Sequence, residues 1–175
     1  MTTARYRCRT CNLVHGGFPD LTFAAPYFFD QLSEAARTSL AFLNSDLCVI
    51  NKEDYFVRAV LQIPILDSSE TFGWGIWVSL SATNFNRYLG SFEKDPPPGE
   101  GPYFGWFSNQ LPWYPDTLGL KTNVHPQPAG DRPLVIVEHT DHPLANHQHH
   151  GIDYHELSEI VAAAKTPGLL GTPAV

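Results

Sequence analysis

Two stretches in the middle of the chain alternate between apolar residues and polar or small ones, which is the pattern of β-strands with one buried face. The first covers residues 55–65 and the second covers residues 72–80. Each places apolar side chains along one face, and these two faces are predicted to build the core. The positions are Val57, Ala59, Leu61, Ile63 and Ile65 in the first stretch, and Phe72, Trp74, Ile76, Val78 and Leu80 in the second.

The other predicted elements are shorter. Apolar residues at helical spacing predict a helix over residues 30–43, with Ser33 as its candidate N-cap. Three consecutive prolines mark residues 93–102 as a surface loop, and residues 16–26 are also expected to form a loop. The remaining predictions are strands over residues 47–50, 103–107, 118–124 and 133–138, and helices over residues 81–89, 141–151 and 153–165.

The order of these elements predicts the fold class. Consecutive strands are joined by turns too short for crossover helices, which indicates a mostly antiparallel sheet. A chain of 175 residues is long enough to bury a substantial core as one domain. We therefore expect an α+β fold: a single domain over residues 1–165 with flanking helices and an N-terminal turn like a zinc knuckle, followed by a flexible tail over residues 166–175.

Charge and hydropathy narrow the range of partners. Eighteen acidic residues against 11 basic ones give a net charge of -7, which repels the phosphate backbone of nucleic acids. No segment approaches the roughly 18 consecutive apolar residues of a spanning helix, and the N-terminal residues do not read as a signal peptide. We expect a cytoplasmic protein whose partner is another protein or a small ligand, and neither a nucleic acid nor a membrane.

The N-terminal segment carries the clearest chemical motif. Cys8 and Cys11, two residues apart, are followed by His15, and a turn of this kind lets two thiolates reach one zinc ion. Cys48 is the best third ligand, because it is the one other cysteine of the chain. Structural zinc sites have four ligands, so His15 is the fourth candidate and His142 is its rival.

Two other readings of the cysteines stay open. A C-x-x-C pair is redox-active when it caps a helix that lowers a thiol pKa, but Gly16, Gly17 and Pro19 disfavour a long helix here. The cysteines could also be unliganded thiols.

Histidines are concentrated near the C-terminus, where a helix over residues 141–151 would place His142, Asn146 and His149 on one face. This arrangement raises the alternative of a metal-dependent hydrolase, although the spacing matches no H-E-x-x-H signature. A simpler reading is that several are solvated surface residues and that His142 precedes Pro143 at a helix start. The seven histidines are His125, His139, His142, His147, His149, His150 and His155.

A possible binding surface lies on the second face of the two long strands. Arg58 and Gln62 share that face of the first strand, and Trp77 and Ser79 share it on the next. Arg and Trp are common interface anchors, so Arg58, Gln62 and Trp77 on this face, together with His142, are the candidate contacts for a ligand or a partner. The favoured reading is instead a second core layer, with Trp77 under a helix and Arg58 paired to an acid.

Short segments along nearly the whole chain, in order, carry a family resemblance. They are Cys8-x-x-Cys11-x-x-x-His15-x-Gly17-x-Pro19 and residues 45–50 (SDLCVI), 56–58 (FVR), 63–64 (IP), 74–79 (WGIWVS), 103–106 (YFGW), 141–145 (DHPLA) and 151–152 (GI). Together they resemble the bacterial family catalogued as domain of unknown function 2199. That family tends to carry an acidic residue before a glutamine where this chain has His147 before Gln148. The resemblance supports the fold and implies no reaction.

The leading hypothesis is thus a non-catalytic bacterial protein, held together by one zinc ion, that acts by binding a protein or a small ligand. An antitoxin or immunity role would suit such a small acidic chain.

Overall fold

The computed structural model describes residues 5–7, 14–16, 18 and 20–164, and within them ten strands and five helices form. The strands are β1 (Arg5–Arg7), β2 (Val14–Gly16), β3 (Leu21–Thr22), β4 (Ala41–Leu43), β5 (Leu47–Ile50), β6 (Asp54–Pro64), β7 (Thr71–Leu80), β8 (Tyr103–Phe107), β9 (Lys121–His125) and β10 (Leu134–Val137). The helices are α1 (Tyr27–Asp30), α2 (Glu34–Leu40), α3 (Ala82–Ser91), α4 (Pro143–His150) and α5 (Tyr154–Ala164).

Eight of these strands form one sheet, in the order β3-β7-β8-β9-β10-β6-β5-β4. Because β6 also pairs with β7, the five strands from β6 to β10 close into a ring. The pairings β3–β7 and β10–β6 are parallel, and the other pairings of this sheet are antiparallel. The predicted α+β fold with a mostly antiparallel sheet is confirmed.

The β6–β7 hairpin is the central structural element of the sheet. The two strands pair from Tyr55 opposite Leu80 to Pro64 opposite Thr71. The predicted core faces are confirmed, because the ten apolar positions named above are all buried. They belong to the larger of two core clusters, which draws side chains from all five ring strands and from α3, α4 and α5.

A smaller core cluster lies on the other face of β5, β6 and β7. It consists of Cys48, Ile50, Phe56 and Trp77, and Phe29 of α1 and Leu32 pack against it. This second layer exists because α1 and the turn after it lie across that face of the sheet. Their coverage stops before β8, which creates the cleft described below.

The prediction of one helix over residues 30–43 is wrong about where the helix begins and ends. Ser33 is the N-cap of α2, as expected, and its hydroxyl accepts the Ala36 N–H. The helix ends at Leu40, however, because residues 41–43 pair with β5 instead. Asn44 fixes the turn between β4 and β5, since its side-chain oxygen accepts the N–H groups of both Asp46 and Leu47. A helix cannot continue through this arrangement.

The loop predicted over residues 16–26 contains β3, which pairs in parallel with β7. A strand of two residues has no periodicity that a sequence pattern could reveal. The predicted tail over residues 166–175 lies outside the described residues. Of the helices in the described part of the chain, none combines the length and apolarity needed to cross a bilayer.

Candidate ligand-binding cleft

A row of side chains crosses one face of the sheet from β5 to β8. Cys48 lies opposite Phe56, Phe56 opposite Ser79, and Ser79 opposite Trp106. Residues directly opposite each other in a sheet share a face. The Cys48 end of the row is covered by Phe29 and Leu32, whereas the indole of Trp106 is 45% exposed. An open cleft of about 520 Å³ lies between the covered and the exposed ends.

Aromatic rings form much of the cleft wall. The Phe28 and Phe56 rings stack with their centroids 6.0 Å apart, and Trp106 faces the cleft from β8. Phe104, two residues along β8, packs edge-on against Trp106 at 4.9 Å and extends the aromatic surface beyond the cleft. The lining residues are Phe28, Leu32, Ile50, Asp54, Phe56, Ser79, Trp106, Phe107, Ser108 and Gly119.

Buried hydrogen bonds hold the α1 wall in place. The Asn109 side chain is almost fully buried; its oxygen accepts the Trp77 N–H at 2.7 Å and its nitrogen donates to the Ala25 carbonyl at 3.0 Å. The Tyr27 N–H, at the start of α1, donates to the Ser108 carbonyl at 2.8 Å. The cleft is therefore shaped by the fold before any ligand arrives.

Asp54 is the one charged residue among the lining residues. It begins β6 opposite Ile50, and its side chain is exposed. Within the described residues, its carboxylate makes no hydrogen bond or ion pair. An apolar cleft with few polar groups at defined positions is the usual form of a small-molecule site.

The predicted zinc ligands fall partly outside the described residues. Cys8 and Cys11 lie outside them, and His15 is described only as a backbone position in β2, opposite Tyr6. Cys48 is fully buried among apolar side chains. Burial, together with the nearby Asp30 carboxylate, raises the pKa of the Cys48 thiol to about 12. The described surroundings of Cys48 are those of a core thiol.

The structure places Arg58 directly opposite Trp77. Trp77 is fully buried in the smaller core cluster, and its indole N–H donates to the Phe23 carbonyl at 3.1 Å. Arg58 donates to the Ser45 carbonyl at 3.1 Å and to the Thr22 hydroxyl. Desolvation is the main reason that the pKa of Arg58 is lowered, with a further lowering from Arg132 and an opposing effect of Asp46. Both side chains are engaged within the protein.

Gln62 lies apart from that pair, at an exposed position of β6. It lines a separate, smaller cleft of about 240 Å³ together with Gln148 and His149. The four residues proposed as a ligand or partner surface thus divide among three places, because His142 lies at the start of α4.

His142 is the N-cap of α4. Its Nδ1 accepts the Leu144 N–H at 3.1 Å, and its Nε2 lies 3.2 Å from the Asp116 carbonyl oxygen. A neutral ring with its proton on Nε2 satisfies both contacts. His142 therefore caps a helix at Pro143, and both of its ring nitrogens have partners in the protein.

The His147 ring has a partner at each nitrogen. The Tyr114 hydroxyl lies 2.9 Å from Nδ1, and a Glu156 carboxylate oxygen lies 3.5 Å from Nε2. Trp113 stacks on the same ring. Burial lowers the pKa of His147, against the opposing effects of the Glu156 and Asp153 carboxylates. The neutral ring is thus favoured in the folded protein.

His149 is likewise engaged. Its Nε2 lies 2.8 Å from the Val137 carbonyl oxygen, and its ring stacks on His139 at 3.7 Å. Within residues 20–164 and the few described residues before them, no group of three or more His, Cys, Asp or Glu side chains is placed to hold a metal ion. The hydrolase alternative gains no metal site from these residues.

Sequence reasoning missed the main residues of the cleft, which are Phe28, Asp54 and Trp106. One signal was available. The alternation of residues 103–107 buries Tyr103, Gly105 and Phe107 and so turns Phe104 and Trp106 outward. An outward pair of large aromatic residues on a strand marks a surface that interacts with something.

One family model matches the chain over residues 7–152, and its description is an uncharacterised protein conserved in bacteria, DUF2199. This match confirms the resemblance noted in the sequence. No curated protein matches the chain, and no solved structure matches it.

Proposed function

Since this chain belongs to the DUF2199 family of uncharacterised bacterial proteins, whose description assigns no activity, we propose from its geometry that it binds a small apolar ligand in the aromatic cleft. The observation that carries this proposal is the open volume between Phe28 and Trp106 on one face of the sheet. Its 520 Å³ falls within the range of roughly 300–1,000 Å³ for small-molecule sites.

The chemistry of the lining favours binding over catalysis. The lining residues offer one carboxylate, on Asp54, and the hydroxyls of Ser79 and Ser108. General acid–base or nucleophilic catalysis needs a base within hydrogen-bond reach of the group it activates. Asp54 makes no such bond to any residue that the structure describes, whereas three aromatic rings offer the ring faces and edges that hold a flat apolar molecule.

The test uses N-phenyl-1-naphthylamine, a neutral probe that fluoresces when it enters an apolar site. We expect Trp106→Ala to weaken probe binding at least tenfold, because it removes one wall of the cleft. Trp113→Ala is the matched control, because Trp113 is 42% exposed, close to the 45% of Trp106, and lies outside the cleft. Equal affinities of the two variants, or no binding by the wild type, would refute the proposal.

We also propose a structural zinc ion held by Cys8, Cys11 and His15, with Cys48 as the further ligand. The support is the backbone pairing of β1 with β2, in which Arg7 lies opposite Val14. This pairing brings together the two ends of the segment that contains both cysteines. Zinc would then tie the N-terminal hairpin into the fold and contribute folding free energy.

Cys48 is the ligand of this set that most needs testing, because zinc binds a thiolate and the apolar surroundings of Cys48 oppose ionisation of its thiol. Elemental mass spectrometry of tag-free protein, purified without chelators, tests the set. We expect one equivalent of zinc in the wild type and none in Cys8→Ser. Zinc retained in Cys48→Ala would remove Cys48 from the set, and a wild type without metal would refute the site.

A further inference from the structure

The charge of the aromatic cleft points to the class of ligand, and this inference rests on the proposed function of the cleft. Asp54 is the one charged residue of the lining, and within the described residues its carboxylate has no partner. A carboxylate that meets no cation in the described part of the chain is available to a cation from outside.

The rings of the cleft favour the same charge. An aromatic face attracts a cation within about 6 Å of its centroid, and Trp is the strongest of the three aromatic residues in this respect. Phe28, Phe56 and Trp106 together supply three such rings around one volume. The net charge of -7 adds a weaker, long-range attraction for cations.

Among the described basic side chains on or beside this face, Arg37 and Arg58 are engaged within the protein, and Lys52 and Lys121 are not among the lining residues. Arg37 lies over the Phe29 ring and donates to the Asp30 carbonyl at 2.8 Å. Arg58 is held by Thr22 and Ser45. Lys121 lies opposite Trp106 on the side away from Ser79 and is not among the lining residues. An anionic ligand would therefore meet Asp54 without a compensating cation in the lining.

We propose that the cleft binds a small organic cation, an amine attached to an aromatic or aliphatic group. The apolar group lies between Phe28 and Trp106, and the ammonium lies toward Asp54 at the end of β6. This arrangement uses the carboxylate and the aromatic rings, the two features by which the lining differs from an ordinary exposed apolar patch.

Three probes of similar shape and different charge test this proposal: 2-phenylethylammonium, 2-phenylethanol and phenylacetate. Each is measured by displacement of N-phenyl-1-naphthylamine from the folded wild type at low salt. We expect the cation to bind about fivefold more tightly than the neutral alcohol, in keeping with one exposed ion pair and a cation–π contact. Phenylacetate should bind most weakly.

Asp54→Asn should reduce the preference for the cation to about twofold, the part that the aromatic rings supply, and leave the affinity for the alcohol unchanged. Glu53→Gln is the matched control, because Glu53 is the exposed acid next to Asp54 and is not part of the lining; this variant should keep the preference. A preference of undiminished size in Asp54→Asn, or an alcohol that binds the wild type as tightly as the cation, would overturn the inference.

The outcomes also separate this inference from the proposed function. If the fluorescent probe binds in the cleft but the cation does not displace it better than the alcohol, the cleft remains a binding site and the cation preference is wrong. If the fluorescent probe does not bind at all, both proposals are wrong.

Discussion

The aromatic cleft and the histidine-rich helix α4 are opposite kinds of region. Helix α4 contains residue types that serve catalysis and metal binding, yet the rings of His142, His147 and His149 all contact partners within the protein. The cleft is lined mainly by apolar residues of no special reactivity, yet its volume is open and its one carboxylate has no partner among the described residues. In the first region, the reactive residue types already have partners within the protein.

Residue type alone, therefore, does not mark a site in this protein. A histidine whose two ring nitrogens already have partners contributes to stability in the same way as any other hydrogen-bonded polar group. An apolar surface that the fold leaves uncovered can instead bind a ligand that covers it. Substitutions in α4 are therefore expected to change stability without changing binding, and substitutions in the cleft should do the reverse.

The largest expected effect comes from Gln148, on the buried face of α4. Its side-chain oxygen accepts the Val137 N–H at 2.7 Å, and its nitrogen donates to the Val135 carbonyl at 2.6 Å. Gln148→Leu leaves both buried backbone groups without this partner and should lower the free energy of unfolding by about 2–3 kcal/mol. Urea denaturation measures the loss, with the exposed Asn146→Ala as control. If the folded Gln148→Leu protein bound the probe more weakly than the wild type, substitutions in α4 would affect the cleft, and the two regions would not be independent.

The next effect lies in the cleft. Ser79→Leu places a larger side chain on the cleft floor between Phe56 and Trp106, and should weaken N-phenyl-1-naphthylamine binding about tenfold, or 1.4 kcal/mol. The free energy of unfolding should change by less than about 0.5 kcal/mol. Gln62→Leu makes a similar change on the neighbouring strand outside the cleft and should bind normally. Equal binding by both variants would show that the probe does not occupy the cleft.

A smaller effect is expected at the start of α4. His142→Ala removes the N-cap acceptor for the Leu144 N–H and should lower the free energy of unfolding by about 1 kcal/mol. His142→Asn provides a good capping residue and should recover most of this stability. Probe binding should be the same in both variants. Loss of zinc from His142→Ala, in protein that stays folded, would make His142 a ligand and contradict its assignment as a cap.

The smallest effect concerns pH. Burial lowers the pKa of His147 below the ordinary value, which is about 6.5 for an unfolded chain. Below that value the unfolded chain binds more protons than the folded one, so stability falls as the pH decreases toward the folded pKa. His147→Gln should reduce the decline in stability between about pH 7.5 and 5.5. Urea denaturation across that range measures the free energy of unfolding. If that free energy depended on pH in the same way in the wild type and the variant, the lowered pKa of His147 would be contradicted.

Local patterns predicted much of the fold. The alternation in β6 and β7 correctly predicted which side chains are buried, and the helix predicted over residues 153–165 corresponds to α5, Tyr154–Ala164. The closing of the five-strand ring could not be predicted in this way. It depends on the parallel pairing of β10 with β6, at Leu134 opposite Val60, and these residues are too far apart in sequence for a local pattern to connect them.

The cleft escaped prediction for a related reason. It arises because α1 is short and covers Cys48 and Phe56 without reaching Trp106. The sequence pattern instead predicted a long helix over residues 30–43, which would have given no reason to expect an uncovered face. The zinc ligands Cys8 and Cys11 remain a prediction, since they lie outside the described residues.

The most direct test of the account is an NMR titration of the tryptophan indole N–H signals with 2-naphthol, a soluble neutral aromatic probe. Trp106→Ala and Trp113→Ala assign the two exposed indoles, and Trp74 and Trp77 are fully buried. We expect the Trp106 signal to move on titration while the Trp113 signal, beside α4, stays in place. Movement of Trp113 with Trp106 unchanged would place the ligand at the histidine-rich helix and contradict the central claim.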